Sequence, residues 1–249
     1  MNGSRPRLFL AIALASGLSG SSIAHGQDVS PASSGLFTWA GPHLGVFGGF
    51  AKAEINATEL FSEEFGYYNL PSDPYGFDAD GSMAGAEVGY DWQWGGFVAG
   101  VVAEAGFVDL SGSVVDPNSL ATGAPITSFE SSAYGALTAR AGFGLNRALL
   151  YARGGIAVLD ASGSTIDTCG RSFCGPATIE ALGHEVLLGW TLGAGIEIAL
   201  SQHWSVGSEY RYFRFEDLEV SGTSARAGFN TQDLEVDFHS GRAFVSYRW

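Results

Sequence analysis

The chain has 249 residues, 46% of them hydrophobic and 13% aromatic, with 36 glycines and a formal net charge of −14. That balance excludes a disordered polar chain and argues against nucleic acid as a partner, since a phosphate backbone calls for a basic face. The glycines follow no Gly-X-Y period, which excludes a collagen-like fold, and Lys52 is the one lysine beside eleven arginines.

The N-terminus reads as a secretory signal peptide. Arg5 and Arg7 precede the apolar run Leu8–Leu18, which is too short to span a bilayer. Ala24-His25-Gly26 fits the small-x-small cleavage rule, with Ser22-Ile23-Ala24 as a second candidate, so residues 1–26 are expected to be removed. Loss of Arg5 and Arg7 takes the charge from −14 to −16. Residues 27–38 then form a short periplasmic lead-in. No later stretch reaches the ~18 apolar residues of a membrane helix.

From residue 39 onward one unit recurs, alternating apolar residues with small or polar ones, the period of a strand with two unlike faces. The first segment, Gly41–Ile55, is glycine-rich. In the second, Ala84, Ala86, Val88, Tyr90, Trp92 and Trp94 share a face opposite Glu87 and Asp91. After Gly95-Gly96, the third runs from Phe97 to Phe107 with Glu104 on its other face. The fourth sets Leu137, Ala139, Ala141, Phe143 and Leu145 against Arg140. Past the Asn146-Arg147 turn, the fifth sets Leu150, Ala152, Ile156 and Val158 against Arg153. The sixth, Trp190–Leu200, opposes its apolar face with Glu197. A Ser201-Gln202-His203 turn leads to the seventh, where Trp204, Val206, Tyr210 and Tyr212 oppose Glu209 and Arg211. The last, His239–Trp249, sets Ala243, Val245, Tyr247 and Trp249 against Arg242, Ser246 and Arg248.

Short turns near Gly95, Asn146 and Gln202 alternate with four long connections, roughly 56–82, 109–131, 160–184 and 216–236. That rhythm, and the even strand count, are those of an outer-membrane barrel. A soluble sandwich or barrel also alternates, but its outer face is charged. Here one face is apolar and nearly uncharged, and the other holds glycines with scattered Glu, Asp and Arg, which suits lipid outside and a polar lumen inside. The aromatic residues gather near segment ends, as girdles do. The expected fold is all-β: an eight-stranded antiparallel up-and-down transmembrane β-barrel over 39–249, with four long extracellular loops.

Three stretches carry a resemblance to a known family. Gly189-Trp190-Thr191-Leu192-Gly193-Ala194-Gly195-Ile196-Glu197, followed by Trp204-Ser205-Val206 and Glu209-Tyr210-Arg211-Tyr212, resembles the last hairpin of the small outer-membrane β-barrel family, which includes the OmpA-like transmembrane domain and the opacity-type surface antigens. Trp39-Ala40-Gly41-Pro42-His43-Leu44-Gly45 is similar to its first strand, with His43 where an aromatic is common. Val245, Tyr247 and Trp249 are similar to the C-terminal assembly signal of such proteins, although phenylalanine is the usual last residue. The resemblance covers about Phe37 to Trp249. It implies an outer-membrane location, contact with outer-membrane lipids and lipopolysaccharide, and recognition of the last strand by the barrel-assembly machinery.

An eight-stranded barrel is just wide enough to be filled by side chains. The expected inward set is Glu87, Asp91, Glu104, Arg140, Arg153, Glu197, Glu209, Arg211 and Arg242, acids and arginines able to pair across the lumen and plug it. The same charges would also suit a narrow channel. Cys169 and Cys174, as C-x4-C in an exported chain, read as a disulfide in the third loop; a metal site there lacks further ligands, and no metal or cofactor is expected. His239 and Ser240 are adjacent and point opposite ways, and His203 with Ser205 lies at a periplasmic turn, so neither suits a lipid A-modifying enzyme. Loop one holds Glu59, Glu63, Glu64, Asp73, Asp78 and Asp80, and loop four Glu216, Asp217, Glu219, Asp233, Glu235 and Asp237, read as solvated charge. Asp78-Ala79-Asp80-Gly81 is a fragment of a calcium loop and no more. Phe61, Phe65, Tyr67, Tyr68, Tyr75 and Phe77 could serve adhesion or pack against the rim. The leading expectation is a non-enzymatic structural or surface-exposed barrel, ahead of a small-solute channel, a surface adhesin whose ligand the sequence leaves open, and a lipid A-modifying enzyme.

Overall fold

The computed structural model describes residues 37–64, 67–69, 74–116, 125–168, 178–224 and 228–249. The expected signal peptide and most of the lead-in lie outside these residues, as do Cys169 and Cys174. Ten strands form among them: β1 Gly41–Glu64, β2 Tyr67–Asn69, β3 Tyr75–Trp94, β4 Phe97–Val115, β5 Ile126–Leu145, β6 Ala148–Thr168, β7 Thr178–Ala199, β8 Trp204–Phe215, β9 Leu218–Ser224 and β10 Gly228–Arg248.

All pairings are antiparallel, and the sheet closes on itself through β1 and β10, from His43↔Arg248 to Glu64↔Gly228. Going round, β1, β3, β4, β5, β6, β7, β8 and β10 form eight columns. β9 does not add a ninth. It continues the β8 column after a break at Glu216-Asp217, pairing with the upper part of β10 where β8 pairs with the lower part. β2 folds back onto the upper end of β1. Closure removes the exposed edges that an open sheet would present to lipid.

The turns at one end are tight for local reasons. Gly95 and Asn146 both have positive φ, 61° and 54°, as two-residue hairpins demand. At the third turn the Ser201 hydroxyl accepts a hydrogen bond from the Trp204 amide at 3.0 Å.

The strands are longer than the sequence suggested. β1 has 24 residues and β4, a shorter column, 19, whereas ~9–11 residues cross a membrane. Most of each span read as a long connection is therefore strand: the upper parts of β1 and β3, of β4 and β5, of β6 and β7, and β9 with upper β10.

The outward face explains the extra length. On β4 it runs Phe97, Ala99, Val101, Ala103, Ala105, Phe107 and then switches to Asp109, Ser111 and Ser113. The apolar part is about eleven residues, ~36 Å along the strand and ~25 Å in height after tilting, the lipid-facing band of an outer-membrane barrel. Other columns switch at the same level. Phe50 gives way to Lys52 on β1, Ala84 to Ser82 on β3, Val158 to Asp160 on β6, and Tyr212 to Arg214 on β8. Aromatics mark both borders: Trp92, Trp94, Phe143, Trp204 and Trp249 near the tight turns, and Phe50, Phe107, Trp190 and Tyr210 near the switch. Above it the wall faces water, and the barrel stands well clear of the lipid.

Candidate functional site

The inward face holds the features that decide what this molecule can do, stacked in tiers. At the mouth beside the tight turns sits Trp39, fully buried. It precedes β1 and turns into the barrel, where Phe37 packs edge-on at 4.8 Å. Its amide donates to the Gln93 side chain at 2.6 Å, and its carbonyl accepts from Arg248. The ring fits because Gly144 faces it: a Cβ there would lie 3.0 Å from the indole.

The next tier pairs Asp91 and Glu197 with Arg140 and Arg248. Arg140 grips Asp91 with two nitrogens, Nε at 2.8 Å, and donates to Glu197 at 3.1 Å. Arg248 reaches Asp91 at 2.8 Å and lies 3.7 Å from Glu197. Ser205 donates to Glu197 at 2.6 Å, and His43 Nδ1 lies 3.4 Å from Asp91. Gly100 makes this possible, since a Cβ there would collide with the Asp91 carboxylate.

Above it, three acids meet three arginines. Glu104 is shared by Arg153 at 2.7 Å, Arg242 at 3.0 Å and Arg211. Glu87 is shared by Arg153 and Arg242, each at 3.0 Å. Glu209 lies 2.9 Å from Arg242, 3.5 Å from Arg153 and 3.6 Å from Arg211, and accepts a hydrogen bond from Tyr151 at 2.8 Å. Thr138 and Thr191 accept from the Nε of Arg153 and Arg211, at 2.7 and 3.2 Å. Aromatic faces cover the guanidinium groups: Phe47 over Arg242 at 4.3 Å, Phe213 over Arg211 at 4.5 Å. Among the described residues the two tiers hold five buried acids and five buried arginines, so the lumen charge balances without a bound ion.

The structure thus brings together all nine residues of the expected inward set. Sequence reasoning left out Arg248, although it shares the Arg242 face, and it left His43 out of the inward set, whereas the ring is buried in the lumen. Parity along β1 carries that signal, because His43, Gly45 and Phe47 alternate inward.

The third zone was not anticipated. Above the ion pairs the lumen turns apolar: Met83, Val108, Leu110, Leu159, Leu187, Phe213, Phe215 and Phe238 are buried there. Phe213 stacks on Phe238 at 4.3 Å and meets Tyr134 edge-on at 6.0 Å. A polar layer follows, with Tyr75 to Thr127 at 2.9 Å, Thr127 to Thr165 at 3.1 Å and Thr165 to Gln232 at 3.0 Å. Tyr75 and Phe77, read as loop aromatics, belong to this interior; Tyr75 is buried and Phe77 packs on the core. The side chains of Phe61, Phe65, Tyr67 and Tyr68 lie outside the described residues.

The outer wall at this height is acidic. Asp78 sits 2.7 Å from Lys52 and raises its pKa; Asp237, 3.8 Å from Arg214, does the same there. Asp233 is pushed up, first by partial burial and then by Asp217 and Glu219. His239 points outward and Ser240 inward, and His203 lies in its turn, stacked on Tyr247, while Ser205 turns inward to Glu197, so neither His/Ser pair meets.

A closed sheet with an apolar belt, girdles and a charged interior defines a small outer-membrane β-barrel. The model of the outer membrane protein beta-barrel domain matches residues 11–248, and the chain belongs to that family. Among curated relatives, the 31 kDa outer-membrane immunogenic protein of Brucella melitensis is 27% identical over 86% of this chain and 85% of its own length. The 25 kDa outer-membrane immunogenic protein of Brucella canis is 28% identical over 80% and 78%. Among solved structures, the outer membrane protease OmpT of Escherichia coli superposes with a TM-score of 0.51 at 7% identity, covering 86% of this chain and 98% of that one, a likeness of fold alone. The protein is thus located in the outer membrane, in contact with its lipids.

Proposed function

We propose that this protein is a non-conducting, non-enzymatic surface barrel whose working part is the wall and rim that stand above the lipid. The observation that carries this reading is the filled lumen. Trp39, two tiers of ion pairs, the aromatic–aliphatic core and the Tyr75–Gln232 layer succeed one another along the axis. A solute would have to break charge-assisted bonds in a confined, low-dielectric space and then part a packed apolar core. On this reading the nine charged residues hold the cylinder shut and fix its register, and are neither a selectivity filter nor a catalytic set. The immunogenic names of the Brucella relatives support exposure at the cell surface. Val245 and Tyr247 alternate outward on β10 and Trp249 follows it, exposed, which supports their reading as the signal for the assembly machinery.

Planar-bilayer recording on the refolded chain tests it, with a heat-dependent gel shift as proof of folding. No stable step conductance is expected. Large, long-lived openings would replace this reading with a channel.

A further inference from the structure

The water-facing wall is not polar all round. At the outer end of β4, β5 and β6, Val115, Ile126 and Ile166 are direct cross-strand neighbours in one row, 56%, 46% and 42% exposed. Val115 stands ~26 Å along β4 beyond Phe107, the last lipid-facing position, so lipid does not account for the row. The apolar stripe continues down β7. Leu182 lies one row lower, across from Ser164, and Val186 lies opposite Asp160, just above the belt. β7 is laddered to β8 from Gly189 to Ala199 but to β9 at Leu182 alone. Beside the break at Glu216-Asp217, three successive residues, His184, Glu185 and Val186, are exposed.

Charge on this side of the wall has one sign. Asp109, Glu130, Asp160, Glu180, Glu185 and Glu219 flank the stripe. Among the described residues above the belt, β4, β5, β6, β7 and β9 carry no lysine or arginine. On the opposite side the acids have cations: Asp78 with Lys52, and Glu235 and Asp237 with Arg214. Ser113, Ser128 and Ser164 form the row beneath Val115, Ile126 and Ile166, so small side chains keep the surface flat.

We propose that this wall docks an extended, cationic and amphipathic peptide segment of another protein. The proposal rests on the reading of the wall and rim as the working part of the barrel. Apolar side chains of the segment lie on the stripe, and its lysines or arginines reach the acids on either side. Apolar groups gathered on a water-facing surface mark a contact site, and the acids choose the partner. A second copy of this chain would set acid against acid, and anionic lipid head groups are repelled for the same reason. A purely basic partner would leave the stripe unused.

The test measures binding by fluorescence anisotropy, with the refolded full barrel in zwitterionic nanodiscs and a labelled decapeptide that alternates lysine with valine. That peptide is expected to bind roughly tenfold or more tightly than a lysine–serine or a glutamate–valine peptide of the same length. Ile126→Ser with Ile166→Ser should weaken it about tenfold, as should Glu130→Gln with Glu180→Gln, while the heat-dependent gel shift stays normal. Glu235→Gln with Asp237→Asn, on the opposite side, should change binding by about twofold at most. Unchanged binding by the isoleucine variant, or the lysine–serine peptide held as tightly, overturns the proposal. Stable step conductance from the same barrel would instead overturn the parent reading, whatever the peptide does.

Discussion

The lower and upper halves of this barrel are built on opposite plans. Within the lipid belt the outside is apolar and the inside carries ten paired charges; above it the outside is acidic and the inside is a hydrophobic core. Through the belt one face is apolar and the other polar, and the two largely exchange sides at the membrane surface, although Val115, Ile126, Leu182 and Val186 stay exposed on the upper wall. The difference teaches what each interior is for. A strand that slips by one residue turns every side chain to the other face. If the belt were apolar on both faces, a slipped register would cost little. With arginines and acids inside, a slip drives them into lipid, at about 2–4 kcal/mol for each arginine near the mid-plane. Above the membrane water solvates the outer face, so burial of apolar surface can hold the cylinder shut there as in a soluble protein.

The sharpest way to break the lower plan is to remove its shared carboxylate. Glu104→Ala leaves Arg153, Arg211 and Arg242 to share Glu87 and Glu209, three buried cations on two acids, and should cost about 3–5 kcal/mol, read from urea unfolding in lipid vesicles. The upper plan has its counterpart in Phe213→Ala, which empties the centre of the aromatic stack; about 3 kcal/mol is expected from the same curves. The exchange of faces is tested on a single column. Val101→Arg, outward within the belt, should destabilise by about 2–4 kcal/mol, whereas Ser111→Arg, outward above it, should stay within about 0.5 kcal/mol. Equal effects would mean the belt ends elsewhere. The smallest effect is expected at Asp233. An acid whose folded-state pKa is raised weakens the fold while ionised, and that penalty is withdrawn as pH falls through the raised value. Asp233→Asn should therefore raise the urea midpoint slightly at neutral pH, and the gain should shrink on acidification.

The lower half was legible because its two faces differ in kind. Apolar residues alternating with glycine, Glu or Arg over about eleven positions mark both the strand and its side. The upper half obeys the same period but hides it. Asp78-Ala79-Asp80-Gly81 looks like turn chemistry, yet its acids face water and Ala79 and Gly81 face the core. In β5 the phase itself shifts. A bulge between Ser131 and Tyr134 moves the inward set from Tyr134, Ala136 and Thr138 to Ser131, Phe129 and Thr127, so no unbroken alternation crosses it. Trp39 was read as the start of a strand, because a tryptophan two residues before Gly41-Pro42 gives no local sign that it will turn into the mouth. The nine charged members of the inward set were found by parity alone. Their partners were not, since contacts across the lumen join residues on columns far apart in the chain, such as Glu87 and Arg242.

The position of Trp39 carries one more consequence. Its ring lies inside the mouth, and its carbonyl is held by Arg248 from the opposite end of the chain. Gln93 on β3, Gly144 on β5 and Arg248 on β10 surround it, so its full set of contacts is complete only in the closed barrel. Trp39 is in effect the latch of the cylinder, and its emission, isolated by replacing the other tryptophans, would time the moment at which the two ends of the barrel find each other.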